Sequence, residues 1–104
     1  MTNKKRARTK RRAMERALTK LEDAREKLAL LEPGGAPERP IEVTSASVVE
    51  PHALGLGCAR CAGTLRLEAH DALATEHGPR RRVRARCTRC RATRVVWLHI
   101  AAAN

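Results

Sequence analysis

Four cysteines in two Cys-x-x-Cys pairs constrain this chain more than any other feature. Cys58-Ala59-Arg60-Cys61 is followed by twenty-five residues and then by Cys87-Thr88-Arg89-Cys90, and the chain has no other cysteine. Each pair closes a tight turn whose two sulfurs face one side and supply half of a tetrahedral shell, so each pair completes the other. The expected cofactor is one Zn2+ per chain, held by Cys58, Cys61, Cys87 and Cys90. The segment from about Leu56 onward is too short to be held by a core of its own. Four thiolates on zinc are worth roughly 10–16 kcal/mol of apparent binding energy near neutral pH, and this becomes folding energy when the unfolded chain has no site. Two other chemistries share the spacing: iron in a similar cage, and a redox Cys pair. A redox pair belongs at a strand-to-helix junction, whereas both pairs here precede strand-like segments.

The 104 residues leave room for one small domain and an appendage. Trp97 is the single aromatic residue, so neither a large aromatic core nor a row of stacking platforms for single-stranded nucleic acid is expected. As a lone ring it is expected to pack beside Val95 or against the linker.

Charge is distributed unevenly around a formal net of +11. Residues 1–12 carry seven basic residues and no acid, namely Lys4, Lys5, Arg6, Arg8, Lys10, Arg11 and Arg12. Residues 13–57 have a net charge of −3, and residues 58–104 carry ten arginines against three acids. Two basic ends of this strength attract polyanions. No apolar run follows the basic start, so no secretory leader is expected, and none reaches membrane-spanning length. The expected setting is cytoplasmic and reducing, where paired cysteines are metal ligands before they are disulfides.

Four segments follow along the chain. Residues 1–32 form a basic arm and an amphipathic helix, rich in Ala, Leu, Glu, Lys and Arg without Gly or Pro from Arg8 to Glu32. Met14, Leu18, Leu21 and Leu28 make a narrow apolar stripe, a candidate partner-binding face. Arg11 and Arg25 fall at heptad positions shared with Leu18, so self-pairing along this seam would bury charge. Asp23 with Lys27, and Glu22 with Arg25, are spaced to pair along the helix.

Residues 33–57 begin with Pro33-Gly34-Gly35-Ala36-Pro37, which stops the helix and reads as a hinge. Ile41, Val43, Val48 and Val49, bounded by Pro51, suggest a short strand that joins the following sheet. Within 58–100, Gly63 to His70 and Arg80 to Arg86 alternate as half-buried strands, with Asp71 to Pro79 as their connection. Val83 and Ala85 fall on one face, and Arg80, Arg82, Arg84 and Arg86 on the other. After the second Cys pair, Val96, Leu98 and Ile100 alternate with Val95, Trp97 and His99. Residues 101–104 are a tail. The fold class expected is a small α+β protein, an N-terminal helix followed by a zinc-stabilised three-stranded antiparallel β-ribbon.

The stretch from Cys58 to Ile100 resembles a zinc ribbon, two Cys knuckles joined by a β-hairpin with a third strand after the second knuckle. Ribbons occur in transcription factors, ribosomal proteins, polymerase subunits and enzyme accessory modules, so the resemblance implies fold and metal rather than one function. Typical ribbon knuckles place Gly directly after the second Cys, where Ala62 and Arg91 stand here. Elongation-factor ribbons carry an adjacent Asp-Glu pair at the hairpin tip, whereas Asp71 and Glu76 are separated.

Four thiolates leave no ligand role for His52, His70, His77 or His99. Asp71, Glu76 and His77 share a loop without forming a catalytic constellation, so an enzyme is not expected. The function expected is that of a nucleic-acid-associated accessory factor in transcription or translation. It would contact DNA, RNA or a ribonucleoprotein without sequence preference through the seven basic residues of the arm and through Arg80, Arg82, Arg84 and Arg86. The alternative is a protein-interaction adaptor with purely structural zinc, and a third reading is an accessory module of an enzyme complex.

Overall fold

The N-terminal third has the composition of a helix and nothing to break it before Pro33. The computed structural model describes residues 2–101, and there α1 runs from Thr2 to Leu31. Its 30 residues amount to about 45 Å of helix. The protein is correspondingly elongated, 72 × 22 × 19 Å. After α1 come β1 (Ile41–Val43), α2 (Ala46–Gly55), β2 (Leu65–Thr75), β3 (Gly78–Cys87) and β4 (Thr93–Ile100).

The strands form one four-stranded sheet in the order β1-β4-β3-β2. β2 with β3 and β3 with β4 are antiparallel, while β1 runs parallel to β4 with Ile41 opposite Leu98. The strand expected near Ile41 therefore exists and joins the sheet. The three-stranded antiparallel ribbon is corrected to a four-stranded mixed sheet.

A second correction concerns Val48 and Val49, which lie in α2 rather than in a strand. Local β preference yields here to burial. Val49 and Ala53, four residues apart on one helix face, are 0% and 1% exposed. They pack with Val43, Val83, Val96 and Leu98 into the main core. Pro51 sits inside α2 and does not end it.

The hairpin is also longer than the composition of Asp71–Pro79 implies. β2 continues to Thr75 and β3 starts at Gly78, leaving a loop of Glu76 and His77. The Thr75 hydroxyl donates to Gly78 O at 2.7 Å and accepts from His77 N at 3.1 Å, and Gly78 takes the left-handed backbone (φ 100°) that so tight a turn requires. A bulge at Glu68 resets the alternation midway along β2.

The Pro-Gly segment is fastened to the sheet edge. Gly34 O accepts from Trp97 N at 2.8 Å, beyond the end of β1. Gly34 is buried with φ 91°, and a Cβ there would come within 2.8 Å of Ile41 and 3.2 Å of Val96. Only glycine fits this position. At the far end of the sheet, Ala101 N donates to Val43 O at 2.9 Å. The rest of the tail, 102–104, lies outside the described residues. No helix among them is long and apolar enough to cross a membrane.

Candidate metal centre

The two Cys pairs fold into matching knuckles. In the first, Cys58 N donates to Gly63 O at 2.9 Å and Ala62 N donates to Cys58 O at 3.0 Å. In the second, Cys87 N donates to Ala92 O at 2.9 Å and Arg91 N to Cys87 O at 3.1 Å. Each loop closes only if the residue after its second cysteine turns left-handed, and Ala62 (φ 61°) and Arg91 (φ 67°) both do. The positions where ribbons usually carry Gly thus keep the ribbon conformation without it, at the steric cost that a Cβ adds there.

Gly63 answers a different need. A Cβ on it would approach the Cys87 sulfur to 2.8 Å and the Cys61 sulfur to 3.2 Å. Glycine is placed where the backbone passes the sulfurs, one residue beyond the left-handed turn.

β3 delivers Cys87 and the end of α2 delivers Cys58 to one point. The four ligand sulfurs all lie within 4.8 Å of one another. Cys58 and Cys90 approach to 3.5 Å, as do Cys61 and Cys87, so the knuckles interlock first cysteine to last. A disulfide needs about 2.05 Å, and all four cysteines are free. Thiolates bound tetrahedrally at about 2.3 Å lie roughly 3.8 Å apart, which matches this cage.

Backbone amides support the thiolate form. Arg60 N points at the Cys58 sulfur at 3.4 Å, and Arg89 N and Cys90 N point at Cys87 at 3.3 and 3.4 Å. The Cys90 amide, helped by that of Arg89, holds the Cys87 thiol down at about 6. At Cys90 the Ala92 amide pulls the same way, but burial and the three neighbouring sulfurs leave its thiol raised to about 12. One sulfur is eased toward its thiolate and its neighbour held back, so four thiolates this close together would need a cation between them. The donor set and geometry fit a metal ion.

No protein-family model, curated protein or solved structure matches this chain. The four-sulfur geometry therefore carries the likeness to a zinc ribbon by itself.

Around the centre, two arginines hold other elements to the knuckles. Arg94 reaches Gly57 O at 2.8 Å, just before the first knuckle, and burial lowers its pKa. Arg60, inside the first knuckle, bonds Asp23 of α1 at 2.7 Å and lies 3.7 Å from Glu26. Asp23 thus pairs with Arg60 rather than Lys27, and α1 turns its acidic side, with half-buried Glu22, Glu26 and Ala29, toward the ribbon. Charge composition flagged arginine in general but could not single out these two. A cue for Arg60 was its place inside a Cys knuckle.

The apolar stripe of α1 is exposed, and its Leu18 falls one turn before Glu22 on the row that meets the sheet. Met14 is 73% exposed, Leu18 and Leu28 55%, and Leu21 48%. Lys4, Lys5, Arg6, Arg8, Lys10, Arg11 and Arg12 occupy the free end of the helix, all exposed. None pairs with a carboxylate among the described residues.

Arg80, Arg82, Arg84 and Arg86 share the sheet face opposite the core, as alternation implies, but β2 brings acids among them. Asp71 lies 3.2 Å from Arg82, and Glu68 lies 2.8 Å from Arg86 and 3.6 Å from Arg84. Arg80 donates to Pro37 O at 2.8 Å. Trp97 is on this same outer face, with the Arg82 guanidinium 5.8 Å from its ring centre. The histidines stand apart from the sulfur cage, His70 against Glu50 and His99 against Glu42, each at 2.8 Å.

Proposed function

We propose that this protein is a zinc-ribbon accessory factor that associates with nucleic acid, the projecting helix being its main contact. The observation that carries the reading is the free end of α1, where seven cations lie within nine residues, all exposed and without a carboxylate partner among the described residues. Polyanions are the ligands that such a surface attracts most strongly. Zinc is preferred as the metal because a closed four-thiolate tetrahedron is its usual structural site. It would be held by Cys58, Cys61, Cys87 and Cys90 and would fix the knuckles; the chemistry it supplies is structural.

The sheet arginines rank below the arm as phosphate contacts, because Glu68 and Asp71 already offset much of the charge of Arg82, Arg84 and Arg86. A second reading, an adaptor that docks a protein partner on Met14, Leu18, Leu21 and Leu28, is favoured by the exposure of that stripe. Recovery of the tagged protein from lysate with and without nuclease tests the choice. Nucleic acid that accompanies the protein and is lost on nuclease treatment, together with a loss of it when Lys4, Lys5, Arg6 and Arg8 are changed to Ala, is the expected result. Partners that survive nuclease and disappear with Leu21→Asp would move the adaptor to first place.

A further inference from the structure

A shallow recess of about 560 Å³ opens beside the second knuckle, lined by Arg66, Leu67, Glu68, Arg86, Thr88 and Arg91 next to Cys87. Arg66 and Arg86 are directly opposite each other across β2 and β3, so two like charges share one face, an arrangement that costs stability. Glu68 is the one carboxylate in the lining, and it is engaged with Arg86 at 2.8 Å and Arg84 at 3.6 Å. Arg66 and Arg91 pair with no carboxylate among the described residues.

Arg91 adds a second unfavourable choice. Its knuckle demands a left-handed residue, which glycine supplies without strain, yet an arginine stands there at φ 67°. The Arg86 side chain also reaches back to Arg91 O at 3.3 Å, which ties the two positions together. Three arginines thus line one recess, and an arginine stands where the knuckle would take glycine without strain. Like charges gathered at a surface recess point to an anionic ligand that offsets their repulsion.

We infer that this recess binds a backbone phosphate of nucleic acid, with Arg66 and Arg91 as the principal donors and Arg86 as a third. The guanidinium fork matches phosphate oxygens in pairs, and the recess is open enough to admit a strand lying across the sheet. The inference rests on the nucleic-acid reading above and adds to it a contact on the ribbon, distinct from the helical arm. The competing explanation is that these arginines only offset the negative charge that four thiolates leave around a divalent ion.

The test uses the full-length, metal-loaded protein and a fluorescein-labelled single-stranded RNA, with anisotropy read across a salt series for wild type, Arg66→Gln, Arg91→Gly and the double variant. Arg91→Gly suits the purpose because it relaxes the knuckle while it removes the guanidinium. Metal content and melting temperature of each variant are measured alongside. The double variant should keep its metal and reduce the slope of log affinity against log salt by about 0.7, since the two arginines share one phosphate and each lost phosphate contact on a single strand removes about 0.7. Between 50 and 200 mM salt, wild-type affinity should then fall about 2.6-fold more than that of the double variant. A wild-type slope in the double variant, with RNA binding intact, would overturn the inference and leave the arm as the contact. Metal loss from Arg91→Gly with an unchanged slope would assign these arginines to the cage instead. If the wild-type protein binds no RNA even at low salt, and no duplex DNA under the same conditions, the functional reading itself fails and takes the recess with it.

Discussion

Replacing Ala62 with glycine should stabilise the metal-loaded protein, although it removes a methyl group. Ala62 holds φ 61° because the first knuckle closes only with a left-handed residue there. A Cβ in that conformation costs roughly 1–2 kcal/mol. Glycine avoids the cost but loses about 0.4–1 kcal/mol to the greater freedom of the unfolded chain. The residue is exposed, so no packing is lost. The net gain should be about 0.5–1 kcal/mol, which for a domain of this size is a rise in Tm of roughly 2–8 °C. Thermal melts followed by circular dichroism at fixed, saturating metal measure it, since free metal also shifts Tm. Ala85→Gly is the control, because Ala85 is 1% exposed in β3 and its loss should lower Tm. If Ala62→Gly lowers Tm as Ala85→Gly does, the first knuckle is not left-handed at Ala62 and its geometry is wrong.

Other expectations follow from neighbouring contacts. Gly63→Ala should impair metal retention, measured by competition with a chromogenic chelator, because its Cβ would meet the Cys87 sulfur at 2.8 Å. Arg60→Ala should leave metal content unchanged but free the C-terminal half of α1 from the first knuckle, broadening the distribution of dimensions seen by small-angle scattering. Leu98→Ala, at a position 0% exposed in the core beneath α2, should cost about 2–5 kcal/mol in denaturant unfolding.

The four-cysteine cluster was legible because Cys-x-x-Cys spacing is a local signature of knuckle geometry, and β3 and β4 were legible because Val83, Ala85, Val96 and Leu98 alternate cleanly with polar or partly exposed neighbours. α2 was not, since Val48, Val49 and Pro51 argue locally against a helix. The deciding term is the burial of Val49 and Ala53 on a sheet that the chain has yet to form. Their spacing after Ser45, the helix N-cap, was the available signal. The ion pairs were illegible for a similar reason. No acid interrupts Arg80 to Arg94 in sequence, but antiparallel pairing sets Glu68 and Asp71 beside those arginines. The apolar stripe of α1 was seen, while the side of the helix that meets the ribbon depends on Arg60, far along the chain. The core beneath α2 also shows that the four-cysteine site is not the whole interior, because this cluster contains none of the cysteines.

That division gives the central claim a direct measurement, the metal content of the purified protein together with amide hydrogen exchange before and after chelation. One zinc per chain is predicted, with strong protection at Ala62, Cys87 and Arg91, whose amides close the knuckles. Chelation should abolish that protection while the amides of α1 exchange as before. A chain that carries no metal, or that keeps protected knuckle amides after its metal is removed, would contradict the account.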